Sequence, residues 1–182
     1  EVTLSRAKFT VTYPCSFMLV ASMNPSPSGY FHDGGITHIE TKRYLSRISG
    51  PLLDRIDLHI EVAPVPFEEL AKKQLGESSA VIRARVCAAR KHQDERFKKW
   101  DGFYCNAQMG PKQLRTFCSL DALAENLLKS AMKKLGLSAR AYDRILKVAR
   151  TIADLEGQTR VQSHHVAEAI QYRSLDREGW MG

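Results

Sequence analysis

The spacing of apolar residues divides the chain into an early part with the period of β-strands and a later part with the period of helices. Val2–Arg6 and Lys8–Tyr13 alternate and are rich in Thr and Val, and the short connection between them predicts a β-hairpin. Phe17–Met23 is a continuous apolar run, typical of a strand buried on both faces of a parallel sheet. It ends at Asn24, where the run Pro25–Gly29 predicts an irregular loop.

The next forty residues predict two short helices and a second core strand. The helices are expected over Thr41–Ile48 and around Leu52–Arg55, and the strand over Leu58–Val62. The prolines that follow indicate a domain boundary between residues 63 and 64. A central parallel strand needs neighbours on both sides, and this part of the chain offers only two candidates. We therefore expect the missing strands upstream of Glu1.

Beyond residue 64 the pattern is helical throughout. Ser78 is expected to cap a helix that runs to about Trp100. Further helices are predicted over Pro111–Cys118, Asp121–Leu135 and Ala139–Glu156, and after Ser163. The side chains expected to face inward are Ile82, Val86, Ala89 and Phe97 in the first helix, Tyr142, Ile145, Ala149 and Ile152 in Ala139–Glu156, and Val166 and Ile170 in the last. The predicted class is α+β, with part of a sheet-containing core over 1–63 and an all-α bundle over 64–182.

The charge distribution and the cysteine content limit the kinds of protein to which this chain can belong. The net charge is +7, and residues 1–63 are balanced, so the whole excess lies in the helical part. Such asymmetry permits a nucleic-acid or phosphate partner, although solvated helix faces explain it equally well. The longest apolar run is too short for a membrane span, and the N-terminus does not resemble a signal peptide. Four dispersed cysteines suggest reduced thiols in a cytoplasmic protein.

Three ordered blocks of sequence resemble a known family. They are Val2–Ala7 with Tyr13-Pro14 and Phe17–Pro25, then Tyr44–Asp57, then Leu137–Tyr142 with Arg144–Leu146 and Ala149–Asp154. Together they resemble the magnesium-chelatase-like ComM/YifB family of AAA+ ATPases. The resemblance implies the C-terminal part of such an ATPase: residues 1–63 would carry the pre-sensor hairpin, sensor 1 and the arginine finger, and residues 64–182 a helical lid with sensor 2.

The nucleotide-binding motifs of that family do not occur in this sequence. No glycine is followed at the right spacing by Gly-Lys-Ser/Thr, and the acidic metal-binding strand is also missing. Without the backbone N–H nest and lysine of a phosphate loop, the chain alone is expected to bind ATP weakly or not at all and to be inactive. The full-length protein is expected to be an ATPase that uses ATP and Mg²⁺.

Three residues match positions that respond to nucleotide in the family. Asn24 resembles sensor 1, which orients the attacking water, although a turn-forming role before proline is the alternative. Arg55 resembles an arginine finger, and Asp54 or Asp57 could instead hold it in a salt bridge. Arg140, in the first turn of its helix, resembles sensor 2. These three residues are the predicted catalytic set, and Asn24 and Arg140 are the predicted nucleotide contacts.

Other basic residues are candidates for DNA contact or for a solvated surface. Ser5, Arg6 and Lys8 lie near the tip of the predicted hairpin, which in related helicases points into the ring pore, and they could touch DNA phosphates. A soluble hairpin tip would look the same. Arg144 and Lys147 are interpreted as a solvated stripe. The same interpretation applies to most of the basic cluster Arg83, Arg85, Arg90, Lys91, Arg96, Lys98 and Lys99.

No bound metal is predicted. Members of the family commonly carry cysteines where this chain has Ser26 and Ser28, and the nearby His32, Asp33 and His38 make a poor structural site. His164 and His165 are adjacent on a helix, where successive side chains diverge by about 100°, so they are not expected to form a ligand pair.

The resemblance leads to one principal hypothesis and two alternatives. The full-length protein would be an ATP-driven ring motor, a hexamer by resemblance, that acts on DNA in branch migration, recombination or natural transformation. Its partners would be its own upstream AAA+ core, neighbouring subunits and DNA, with no membrane. The alternatives are a chelatase-type accessory ATPase that remodels a protein partner and a non-enzymatic interaction module.

Overall fold

A computed structural model describes residues 1–15, 17–24, 40, 43–44, 46–67 and 76–173. Contacts divide the chain into two units, Glu1–Leu45 and Ser46–Gly182. This division does not test the predicted domain boundary between residues 63 and 64, which stays a prediction.

The first unit contains a β-hairpin, as the alternation predicted. Strands β1 (Val2–Arg6) and β2 (Phe9–Tyr13) are antiparallel, with Val2 opposite Tyr13 and Arg6 opposite Phe9. The two-residue turn needs a positive φ, which Ala7 supplies at 47°. Hydroxyl pairs join the strands, between Thr3 and Thr12 and between Ser5 and Thr10, each at 3.0 Å. All ten strand residues are exposed.

Neither predicted core strand is present. Phe17–Met23 and Leu58–Val62 have no regular secondary structure, and the large apolar side chains of both segments are exposed. A strand exists only when a neighbour accepts and donates its backbone hydrogen bonds, and within the described residues β1 and β2 pair only with each other. The apolar pattern therefore does not produce a strand here. The loop predicted over Pro25–Gly29 lies wholly outside the described residues. Of the helix predicted over Thr41–Ile48, residues 43 and 44 are helical but residues 46–48 form a turn and a bend, so the described residues confirm only its first part.

The second unit is helical. Its elements are α1 (Gly50–Leu53), α2 (Ser79–Phe97), a 3₁₀ turn (Asn106–Gln108), α3 (Pro111–Phe117), α4 (Ala122–Leu135), α5 (Ala139–Leu155) and α6 (Ser163–Gln171). With one two-stranded sheet and mostly helix, the described residues form a small α+β structure whose C-terminal part is helical. None of the described helices is both long and apolar enough to cross a membrane.

Capping residues mark the helix boundaries, and the cap at Ser78 was predicted from the sequence. The hydroxyl of Ser78 accepts a hydrogen bond from the N–H of Val81, and Ser138 caps α5 in the same way at 3.2 Å. Asp121 caps α4, which ends at Gly136 in the left-handed conformation with φ 60°. Local capping chemistry is short in range, so the sequence alone was sufficient to place these ends.

Helix α5 lies at the centre of the bundle. It packs against α2, α3, the 3₁₀ turn and α6, and α6 also packs against α4. As predicted, Ile145, Ala149 and Ile152 are buried in the core with Val166, whereas Tyr142 is more than one-third exposed. The rest of the core includes Phe97 of α2, Leu114 of α3 and Leu128 of α4, together with Met109, which follows the 3₁₀ turn. The central position of α5 means that its polar side chains reach several neighbouring elements.

Helix α2 enters the bundle only with its second half. Its buried residues are Ala89, Gln93 and Phe97, one helical turn apart. The prediction that Ile82 and Val86 face inward is wrong, since both are exposed. Periodicity identifies the face of a helix that is suited to packing, but it does not show where along its length a partner is present.

Candidate functional site: two arginines that hold the predicted finger segment

The predicted arginine finger lies in a short stretch that begins at the last residue of α1 and continues without regular secondary structure; we call residues 53–59 the finger segment. Arg144 of α5 reaches this segment with two groups. Its Nε donates to the carbonyl oxygen of Asp54 at 2.9 Å, and its Nη1 forms an ion pair with the carboxylate of Asp57. The prediction that Arg144 belongs to a solvated stripe is therefore wrong. Its planar guanidinium can bind a carbonyl and a carboxylate together, which a lysine could not do in the same way.

A second arginine binds the same segment from the end of the bundle. Arg173, which follows α6, is 1% exposed. It donates from Nη1 to the carbonyl oxygen of Ile56 and from Nη2 to that of Leu53 at 3.4 Å. The N–H of His59 donates to the carbonyl oxygen of Tyr172 at 2.8 Å. Beside its local turn hydrogen bonds, the finger segment is thus held by hydrogen bonds to the helical bundle.

Arg55 itself stays exposed between these anchored residues. Its Nη1 donates to the carbonyl oxygen of Pro51, one turn back, at 2.7 Å. The sequence left open a salt bridge to Asp54 or Asp57; within the described residues Asp57 pairs with Arg144 instead. A guanidinium held by a single surface hydrogen bond can be redirected to a phosphate at little cost, because an exposed hydrogen bond contributes only about 1 kcal/mol.

Arg140 lies exposed in the first turn of α5, one turn before Arg144. Among the described residues it has no hydrogen-bond or ion-pair partner. Lys147 follows on the same helix, and its Nζ donates to the carbonyl oxygen of Ala107 at 2.9 Å, so its assignment to a solvated stripe is also wrong. Burial, and next the charge of Arg144, lower the pKa of Lys147.

A network of buried charged side chains connects α5 to α2 and to the 3₁₀ turn. The carboxylate of Asp154 is 2% exposed and accepts two hydrogen bonds from Arg96, at 2.7 and 2.5 Å. It also accepts from Asn106 at 2.8 Å and from Arg150 at 3.2 Å. Burial lowers the pKa of Arg150, and the charge of Asp154 opposes that shift. Arg96 is thus a structural residue, which corrects its assignment to a mostly solvated cluster.

The rest of that basic cluster remains largely on the surface. Arg85 makes a bidentate pair with Glu77, at 2.8 and 3.0 Å, and Arg90 donates to Gln93. Arg83, Lys91, Lys98 and Lys99 are exposed and have no ion pair among the described residues. Exposed basic side chains of this kind occur both on solvated helix faces and at phosphate contacts. The two interpretations of these four residues therefore both stay predictions.

The adjacent histidines come together, contrary to expectation. The rings of His164 and His165 lie 3.9 Å apart, and both Nε2 atoms face Oε2 of Glu156, at 3.1 and 2.9 Å. Divergence of the Cα–Cβ bonds was a poor guide because side-chain torsions turn both rings toward the end of α5. Among the described residues this is the group of three side chains best placed for a metal ion.

The hydrogen bonds of His165 argue against metal binding by this group. Its Nδ1 accepts from the backbone N–H of Gln162 at 2.8 Å, which caps α6. A neutral imidazole has one nitrogen lone pair, so Nε2 must carry the proton that is donated to Glu156. The ring cannot ligate a metal ion through Nε2 while this cap is intact, which leaves only His164 and Glu156. The prediction that Ser26, Ser28, His32, Asp33 and His38 hold no metal concerns residues outside the described part of the chain.

The other predicted contacts lie in the first unit. Asn24 is exposed in a stretch without regular secondary structure. Ser5 and Arg6 end β1, and Lys8 lies in the turn, so all three are at the exposed tip of the hairpin as the sequence predicted. The structure places these residues but does not test their roles as nucleotide or DNA contacts.

Sequence reasoning missed the residues that join elements far apart along the chain. Arg144 contacts a segment about ninety residues earlier, and Arg173 one about 120 residues earlier. One local signal existed for the buried network: Arg150 and Asp154 are four residues apart on the inward face of α5, where charges are rare unless paired. No comparable signal links Arg144 to Asp57.

Comparison with known proteins agrees with the three sequence blocks. Residues 1–70 match the family model of the magnesium chelatase subunit ChlI, and residues 76–173 match that of the ChlI C-terminal region. The chain is 42% identical over 181 residues to YifB of Escherichia coli, covering 97% of this chain and 35% of YifB. It is 44% identical over 183 residues to the competence protein ComM of Haemophilus influenzae, covering 97% of this chain and 34% of ComM.

A more distant relative shows the same coverage. The mycobacterial protein Rv2897c is 34% identical over 175 residues, covering 95% of this chain and 34% of its own. The chain therefore spans about one third of the length of these curated relatives. The two family models together account for nearly all of its residues. The chain belongs to the magnesium-chelatase-like family of AAA+ type that includes ComM and YifB.

Proposed function

We propose that this chain is the C-terminal part of an AAA+ ATPase that forms a ring, by family resemblance a hexamer, and moves DNA at the expense of ATP. ATP and Mg²⁺ would be held by an upstream core of the same protein, and this chain would supply residues that respond to them. The name of the relative ComM, a competence protein, supports an action in DNA uptake or recombination.

The observation that carries the ATPase part of the proposal is the exposure of both predicted arginines on one helical unit. Arg55 has one hydrogen bond, to a backbone carbonyl, and Arg140 has no partner among the described residues. Four other arginines of the same unit are engaged: Arg96, Arg144, Arg150 and Arg173 all bind protein groups. An exposed guanidinium that makes no more than one hydrogen bond to the protein is suited to bind a phosphate from another part of the assembly.

Substitution in the full-length protein tests this assignment. Arg55→Ala and Arg140→Ala should each reduce ATP turnover by about 1000-fold if the guanidinium stabilises phosphoryl charge as arginine fingers do. Lys91→Ala is the matched control, because it also removes one exposed basic side chain without an ion pair in the described residues. Unchanged turnover in both arginine variants would contradict the proposal.

DNA binding is a separate part of the proposal and has its own test. Ser5, Arg6 and Lys8 at the hairpin tip are the proposed phosphate contacts. Full-length protein should bind forked or four-way DNA with an affinity that falls as salt rises. Removing the charges of Arg6 and Lys8 together should make the slope of log K against log salt shallower by about 1.8, since each phosphate contact adds roughly 0.9. No binding at low salt would refute the action on DNA.

An accessory ATPase that remodels a protein partner is the second candidate. The family models that match are those of a magnesium chelatase subunit, and this description supports the alternative. ATP turnover that is unaffected by DNA, in a protein that also fails to bind DNA at low salt, would favour the chelatase-type function.

A further inference from the structure

The finger segment is attached to the helical bundle at almost every position. Carbonyl oxygens of Leu53, Asp54 and Ile56 accept from arginine side chains, and the carboxylate of Asp57 pairs with Arg144. The N–H of His59 completes the set by donating to Tyr172. A segment held at five of its seven residues is constrained to move with the elements that hold it.

The two arginines attach the segment to different parts of the bundle. Arg144 lies in α5, the central helix, and Arg173 follows α6, which packs on both α4 and α5. Arg173 is almost fully buried, so its carbonyl contacts replace water that it cannot reach. The finger segment is therefore attached to the bundle at two places, at α5 and at the residue that follows α6.

Arg140 and Arg144 are one turn apart on the same helix. A helix transmits displacement along its length as a rigid element, so a force applied to Arg140 moves Arg144 with it. Arg144 contacts the residues on either side of Arg55, through Asp54 and Asp57. A physical path of covalent bonds, one ion pair and one hydrogen bond thus leads from the exposed Arg140 to the exposed Arg55.

We propose that Arg144, assisted by Arg173, is a positioning residue that makes the arginine finger Arg55 move as one body with the helical lid. This inference rests on the proposed function, because it assigns phosphate contacts to Arg55 and Arg140. Engagement of nucleotide by Arg140 would then set the position of Arg55, and the two contacts would respond to each other. Arg144 touches no nucleotide in this scheme and acts only through the finger segment.

The test is steady-state ATP hydrolysis by the full-length protein. In the Arg144→Met variant, which keeps an unbranched apolar stem but removes every donor, kcat should fall by about 100-fold, the loss that a misplacement near 1 Å can cause. KM for ATP should stay nearly constant, because the residues that hold ATP are unchanged. The Asp57→Ala variant removes the ion pair from an exposed position and leaves the hydrogen bond of Arg144 to Asp54 in place. Its kcat should therefore also fall, but by less than in Arg144→Met.

Lys147→Met is the matched control. Lys147 is on the same helix as Arg144 and also donates to a backbone carbonyl, but that carbonyl belongs to Ala107 within the bundle. Its kcat should equal that of the parent protein. A loss as large as that of Arg144→Met would mean that any lost contact of α5 impairs turnover, and it would overturn the positioning role.

A double variant distinguishes failure of this inference from failure of the proposed function. If Arg144 acts through Arg55, then Arg55→Ala with Arg144→Met should be no slower than Arg55→Ala alone. Parent-like kcat in Arg144→Met, together with an inactive Arg55→Ala, would refute the positioning role and leave the finger assignment intact. Parent-like kcat in Arg55→Ala would refute the finger assignment and, with it, the coupling.

Discussion

The buried carboxylate of Asp154 should be the most sensitive charged group in the helical bundle. Asp154→Asn keeps the shape of the side chain and removes its charge. The guanidinium groups of Arg96 and Arg150, which now share this carboxylate, would lose their common counter-charge. Removing one partner of a buried ion pair costs about 3–5 kcal/mol, because the remaining charge stays buried without compensation.

The local contacts indicate the lower end of that range. Arg150 keeps the carbonyl oxygens of Gln158 and Thr159, at 2.5 and 2.9 Å, and Arg96 keeps Oδ1 of Asn106 at 2.8 Å. The substituted amide can still accept one of the former hydrogen bonds. We therefore expect a loss of about 3 kcal/mol, which corresponds to roughly a 100-fold change in an opening equilibrium.

Hydrogen exchange of the full-length protein measures this loss locally. Peptides from α5 and from the start of α2's buried half should exchange about 100-fold faster in Asp154→Asn, since exchange reports the free energy of local opening. Asp143→Asn is the control: the same chemical change on the same helix, at a residue without an ion pair among the described residues. Equal protection in the two variants would refute the claim that the network stabilises α5.

Three further predictions concern a thiol, a carboxylate and a helix cap. Burial raises the pKa of the Cys118 thiol to about 12, so iodoacetamide should label exposed Cys87 in the native protein and Cys118 only after unfolding; equal labelling rates would contradict this. Hydrogen bonds from His164 and its neighbour lower the pKa of Glu156 below 4.5, so the stability it contributes is complete above pH 4.5 and is lost as pH falls through the lowered pKa. Urea unfolding in acid should therefore depend less on pH in Glu156→Gln than in the parent protein. Ser138→Ala should cost about 1 kcal/mol of local stability by removing the α5 cap, read as faster exchange in its first turn.

The elements that the sequence predicted correctly are those determined by neighbours along the chain. The hairpin needs only alternation and a short turn, and the helices need an apolar stripe with Ser, Asp or Gly at their ends. Phe17–Met23 and Leu58–Val62 failed as strand predictions because a strand depends on partners that need not be near in sequence. The same reason explains why half of α2 is exposed although its spacing is helical.

The candidate site was predicted only in part for a related reason. A resemblance can transfer a role to Arg55 or Arg140 because each sits within a contiguous motif. A resemblance in sequence does not show which motifs contact each other in the fold. Arg144 was therefore predicted to be solvated, although it binds the finger segment. Similarly, geometry along a single helix suggested that the two adjacent histidines diverge, whereas a hydrogen bond to the backbone turns the ring of His165 back toward α5.

The contacts of Arg144 give two of the three sequence blocks a common structural explanation. One block contains Asp54, Arg55 and Asp57, and another contains Arg140 and Arg144, eighty or more residues later. In the structure these blocks meet through an ion pair and a carbonyl hydrogen bond, so the finger segment is attached to the helical unit even though it precedes the predicted domain boundary. A polar contact of this kind is a poor choice for stability alone, because a partly exposed ion pair contributes at most about 1 kcal/mol. Its geometric specificity, a guanidinium held by a carbonyl and a carboxylate on either side of Arg55, is better suited to fixing the position of that residue.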